Sequence, residues 1–275
     1  MNVGFHAAAM PWHDDATALG WLAQMGYRVV ALIPRRNGLR LADDGAVADA
    51  TQLNVLAGEL GVQLWLCLEG RFIDDPHRPG WPSLASEDPC VADRSLELAS
   101  HWIKAAASIG VTTVTFCCGS TGGTTERHDE AVLDRLAQRI DVLLSLADQT
   151  GIALALRPER GGVVATTIHF DRLRQWVRRP GLLKLWADVD VMLQTGEIPV
   201  ADRLARHGDC LAGLVMGMHH VTASESAGLR FDPAIMLDNL SGTGFDAPVI
   251  FQMSAADDPL RCPYDSAVRF MRGNV

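Results

Sequence analysis

A short apolar run, then a polar or Gly/Pro-rich turn, then a stretch with helical period recurs eight times along the 275 residues, and nothing else in the sequence limits the fold as strongly. The apolar runs are 3–6, 28–34, 63–69, 113–118, 153–158, 183–188, 214–218 and 248–253. Helical patterns lie between them, as in 90–109, which places Leu96, Leu98, Ile103 and Ala106 near one face. A second is 129–150, with Leu133, Leu136, Ile140, Leu143 and Leu144.

Runs such as Leu64-Trp65-Leu66-Cys67-Leu68 are apolar at consecutive positions, as in parallel strands covered on both faces. Eight βα units in this length predict an α/β fold, a closed (β/α)8 TIM barrel more than an open doubly wound sheet, with residues 1–275 as a single domain. The long Pro-containing segment 70–89 after the third run reads as a functional loop.

The formal charge of −9 argues against a nucleic-acid partner. The one sizeable basic cluster, Arg172, Arg174, Arg178 and Arg179, reads as a solvated helix face. No run reaches the roughly 18 apolar residues of a membrane span, and the first residues carry neither a basic leader nor an apolar signal core. The expectation is a soluble, cytoplasmic protein without a membrane partner. Six cysteines form no C-x-x-C pair and read as reduced thiols.

In a barrel of this kind the active site gathers at the C-terminal ends of the strands. Those positions are His6; Pro34, Arg35 and Arg36; Glu69 and Arg71; Cys117, Cys118 and Gly119; Arg157 and Glu159; Asp188 and Asp190; His219 and His220; and Gln252. The glycine-rich stretch 119–123 lacks the Gly-Lys-Ser/Thr ending of a nucleotide-binding loop and reads as a flexible connection. His6 reads as a hydrogen-bonded core histidine.

The segment Ala105-Ala106-Ala107-Ser108-Ile109-Gly110-Val111, a strand, a long helix and then Thr150-Gly151-Ile152-Ala153-Leu154-Ala155-Leu156 follow one another in order. Phe231-Asp232-Pro233, a further helix and Gly244-Phe245-Asp246-Ala247-Pro248-Val249-Ile250-Phe251-Gln252 close the chain. This succession resembles the sugar phosphate isomerase/epimerase family, the xylose-isomerase-like TIM barrels, over essentially the whole chain. The resemblance implies one divalent metal held by Glu on strand five, Asp on strand six, His on strand seven and Glu on strand eight. The metal polarises a carbonyl or hydroxyl while the two glutamates move a proton on and off the neighbouring carbon.

Against that pattern the strand-five position is Arg157 and the strand-eight position is Gln252, while strand six keeps Asp188 and strand seven offers His219 or His220. A His expected three residues after the strand-six Asp is Val191, and an acid expected at the end of strand two is Ala31. With neutral imidazole the four positions carry no net charge, which disfavours a divalent cation, and neither Arg nor Gln takes up a proton.

Three arrangements stay open. Glu159, with Asp188, Asp190 and a histidine, His219 by preference, would rebuild a shifted metal site. Alternatively Arg157 stands in for the metal as a fixed positive charge, with Asp188 and His219 as acid/base groups and Gln252 orienting a hydroxyl. In the third the pocket binds without reacting. Asp188 itself reads either as a ligand or as the salt-bridge partner of Arg157. His219, next after the apolar run, is favoured over His220 as the pocket residue. Glu69, Arg71, Glu159 and His220 are candidate substrate contacts. The expected ligand is a small polyhydroxylated, sugar-like molecule, with divalent metal an open question.

Overall fold

Eight parallel strands close on themselves in chain order: β1 (Val3–His6), β2 (Val29–Leu32), β3 (Gln63–Leu68), β4 (Val111–Phe116), β5 (Ala153–Leu156), β6 (Leu183–Asp188), β7 (Leu211–Gly217) and β8 (Val249–Gln252). The last pairs back to the first, with Gly4 opposite Ile250. The structure is a computed structural model; it describes residues 1–34, 38–40, 50–68, 77, 80–122, 129–222, 231–253 and 264–273. Around the barrel lie α1 (Asp15–Met25), α2 (Ala50–Leu60), α3 (Pro89–Ala106), α4 (Glu130–Thr150), α5 (Thr167–Arg174), α6 (Val189–Gln194), α7 (Val200–Ala205), α8 (His219–Thr222), α9 (Pro233–Ser241) and α10 (Ser266–Gly273). The (β/α)8 barrel expected from the alternation is the one found.

Side chains at the ends of the loops start these helices. Asp14, Asp88, Asp129, Thr166 and Asp232 each accept a hydrogen bond from a backbone N–H of the first turn. The helices then bury one stripe against the sheet: Leu133, Leu136, Ile140, Leu143 and Leu144 of α4 are all within 1% of full burial. Arg178 and Arg179 do not form a free basic face, because they pair with Asp141 and Asp148 of α4.

The barrel interior is a separate apolar cluster of Val29, Ala31, Trp65, Cys67, Ala155, Trp186, Val215 and Ile250. Two indoles fill its centre edge to face, with centroids 5.9 Å apart. Trp65 fits because the inward position beside it on β7 is glycine, and a second glycine, Gly4, lets β1 pack against Val29 and Ile250. A Cβ on Gly213 would stand 2.9 Å from Trp65 Cη2, and one on Gly4 would stand 2.9 Å from the Val29 carbonyl oxygen. β7 accordingly starts at Leu211 rather than at 214, since the glycine that interrupts the apolar pattern is the residue that makes room for Trp65.

No helix among the described residues is long and apolar enough to cross a membrane. Cys67, Cys90, Cys117, Cys118 and Cys210 are free thiols, as expected, and Cys262 lies outside the described residues.

Candidate functional site

Side chains alternate along a strand, so the residue two positions beyond an interior residue points into the barrel mouth. Counting from Ala155, Trp186, Val215 and Ile250 gives Arg157, Asp188, Gly217 and Gln252. The register agrees, with Gly217 opposite Gln252 and Asp188 opposite Val215. Paired residues face the same side, so all four point inward, and the side chains of Arg157, Asp188 and Gln252 meet there, with Arg157 over the indole of Trp186.

Arg157 is 8% exposed and Asp188 3%, and they form a buried ion pair. Nε of Arg157 donates to Oδ2 of Asp188 at 3.0 Å, and Nη2 donates to the same oxygen and, at 3.2 Å, to Oε1 of Gln252. The guanidinium carbon lies 5.0 Å over the Trp186 ring. Oδ1 of Asp188 is occupied on its other side, accepting from the N–H of Val191 to cap α6. Burial pushes the Asp188 carboxyl above its ordinary value, against the opposing pull of the Arg157 charge.

These residues do not fit a divalent ion. The strand-five group is a permanent cation, the strand-eight group is an amide already engaged with it, and the strand-seven position has no side chain. Asp188 has been taken by Arg157. The salt-bridge alternative for Asp188 is what the structure places.

The two histidines follow β7 by way of Met218. β7 ends at Gly217, and His219 and His220 open α8 instead of closing the strand. His219 folds back over the strand end, where its imidazole fills the space a side chain on residue 217 would need; a Cβ there would be 2.4 Å from His219 Cε1. Both rings turn to Asp190 in the first turn of α6: His220 Nε2 is 2.6 Å and His219 Nε2 3.3 Å from Oδ1. Oδ2 accepts from the N–H of Gly217 at 2.9 Å. Burial raises the Asp190 carboxyl, but the hydrogen bonds from His219 and His220 and their charges outweigh it and hold the group well below the usual carboxylate range.

Glu159 is placed apart from this cluster. Its Oε1 accepts from the N–H of Gly119 at 2.8 Å, so an acceptor for the glycine-rich loop after β4 comes from the chain itself. Among the described residues, the one group of three metal-ligating side chains is Asp190, His219 and His220, which includes neither Glu159 nor Asp188. Glu69 and Arg71 lie outside the described residues. His6 is buried, accepts from the N–H of Ala8 and stacks parallel to Trp186 at 6.2 Å. The sequence singled out Asp190 as a rim acid and a candidate ligand beside Glu159 and Asp188, but not as the partner of both histidines, and it did not single out Trp186 as the platform. The two-residue step from Val215 to Gly217 was the signal available.

A family model described as xylose isomerase-like TIM barrel matches residues 19–273. No curated protein matches the sequence. Among solved structures, D-psicose 3-epimerase from Clostridium cellulolyticum H10, crystallised with D-tagatose, superposes with a TM-score of 0.76 at 14% identity, covering 99% of both chains. The 3-keto-D-glucoside 4-epimerase from E. coli gives 0.72 at 14% identity, with 99% of each chain covered. An IOLI protein solved with a zinc atom gives 0.73 at 13%, covering 100% of this chain and 96% of its own. At such identities these likenesses speak to the fold.

Proposed function

From the premise that the chain belongs to the xylose isomerase-like TIM barrel family, we propose that it binds a small polyhydroxylated, sugar-like molecule at the C-terminal rim of the barrel, over a floor where Arg157 replaces a metal ion. The observation that carries this reading is the buried guanidinium of Arg157, fixed between Asp188 and Gln252 above Trp186. A barrel mouth lined by a guanidinium, a carboxylate and an amide presents donors and acceptors at fixed spacing, which suits vicinal hydroxyls or a carbonyl oxygen. The solved sugar epimerases of the same architecture support the ligand class.

Proton exchange between two carboxylates is not part of this reading. Arg157 stays protonated and the Gln252 amide has no useful basicity, so neither removes a proton from carbon. Asp188 acts as the counter-charge that orients the guanidinium. Gln252, held by its Oε1, keeps its amide N–H groups for a ligand oxygen. The site binds and orients.

The test is a titration of the chelator-treated protein with ketohexoses, sugar alcohols and aldonates, followed by tryptophan emission, together with incubation in D2O. Expected are saturable binding by at least one class, weakened by Gln252→Ala, and no deuterium at the carbons flanking the carbonyl. Deuterium incorporation by the metal-free native protein, or failure of all three classes to bind, overturns the reading.

A further inference from the structure

The cluster on α6 and α8 shares no side chain with the guanidinium floor, and it has the donors of a metal centre. We propose that Asp190, His219 and His220 bind one first-row transition metal ion of the zinc type, at a site one step outward from the strand-five-to-eight layer.

Two imidazole nitrogens and one carboxylate oxygen form the donor set, a combination that selects zinc, cobalt or nickel over magnesium and calcium. All three ligand atoms lie within 4.8 Å of one another. Donors about 2.0–2.1 Å from a tetrahedral ion stand roughly 3.3 Å apart. His219 Nε2 and Asp190 Oδ1 are already at 3.3 Å. His220 Nε2, at 2.6 Å, is in hydrogen-bond contact and must withdraw by about 0.7 Å, a small ring rotation, to admit the ion.

The carboxylate is aimed by its second oxygen. Oδ2 is pinned by the N–H of Gly217, which leaves Oδ1 toward the imidazoles, the arrangement by which outer partners orient a ligand. The absence of a side chain at 217 is what lets Asp190 and His219 occupy this space. Three protein donors leave at least one coordination position, and the His219 side chain is 29% exposed, so that position faces the rim. A bound ion there would have an exchangeable water beside the proposed ligand pocket.

This inference does not depend on the sugar-binding reading, and its measurement involves no sugar. Chelator-stripped protein is titrated with Co2+ and followed by visible absorption, with Zn2+ as competitor. Expected is one equivalent bound, with the intense d–d bands of a four- or five-coordinate N/O site, displaced by Zn2+. Asp190→Asn and His220→Gln each weaken Co2+ by more than about tenfold, since even outer partners of metal ligands cost roughly 10–100-fold. Gln252→Ala leaves the spectrum unchanged. Should either variant fail to fold, His219→Gln, the most exposed of the three ligands, provides the same readout. Absence of a stoichiometric Co2+ spectrum, or a spectrum untouched by these ligand substitutions, overturns the proposal.

Discussion

Arg157 reaches a single oxygen of Asp188, Oδ2, with two of its nitrogens, while the other oxygen caps α6 at Val191. One carboxylate thus joins the end of β5, the end of β6 and the start of α6. Removing the guanidinium leaves a buried charge with half its partners, a loss of about 3–5 kcal/mol. We expect Arg157→Met to lower the urea midpoint accordingly at pH 7, and Arg157→Met/Asp188→Asn to recover much of the loss.

The pH dependence of that variant has a definite sign. Burial raises the Asp188 pKa in the folded chain above its ordinary 3.8. A carboxyl with a raised folded value binds more protons when folded, so its contribution to stability falls as pH rises from the unfolded value through the folded one. Without Arg157 the rise is larger, and the deficit of Arg157→Met relative to the native chain should shrink as pH is lowered from 7 to 4 in parallel urea titrations.

Asp190 behaves in the opposite sense. Its folded pKa lies below 3.8, so the stability it contributes is fully present above the unfolded value and is lost as pH falls below it. In chelator, Asp190→Asn should be less stable than the native chain at pH 6, and the gap should narrow between pH 4 and pH 3. A gap that widens on acidification would contradict the hydrogen-bonding given for Asp190.

Cys118 is buried, and its thiol is pushed well above the ordinary 9.0, chiefly by burial and further by the charge of Glu159. The thiolate is the reactive form, so iodoacetamide at pH 8 should modify exposed Cys90 first and leave Cys118 unlabelled in the native state. Peptide mass mapping before and after denaturation checks this.

The barrel interior leaves no room beside Trp65. Gly213→Ala places a carbon 2.9 Å from that ring and from the Pro248 carbonyl oxygen, and should destabilise by about 1–3 kcal/mol in urea unfolding. Trp65→Ala, which empties the centre, should cost about 3–5 kcal/mol.

Much of this architecture could be read from the chain before any coordinates. The consecutive apolar runs specified parallel strands because a strand covered on both faces needs no polar alternation, and 3–6 and 183–188 were bounded correctly. Arg157, Asp188 and Gln252 were legible as strand ends for the same reason. β7 was not, because Gly213 and Gly217 have no side chain to contribute to a hydrophobic pattern while both do their packing by being small. The histidines follow that strand, and the helix they begin was not legible. Glu159 could not be placed from sequence, since its partner, the Gly119 amide, lies 40 residues away.

The missing side chain at position 217 also limits which ligand sets this barrel mouth can be given by substitution. Any residue larger than glycine there must displace both the His219 ring, 2.4 Å from the new Cβ, and the Asp190 carboxylate, 2.8 Å from it. A substitution at 217 therefore cannot add a strand-seven side chain to the barrel mouth without dismantling the cluster that fills this space.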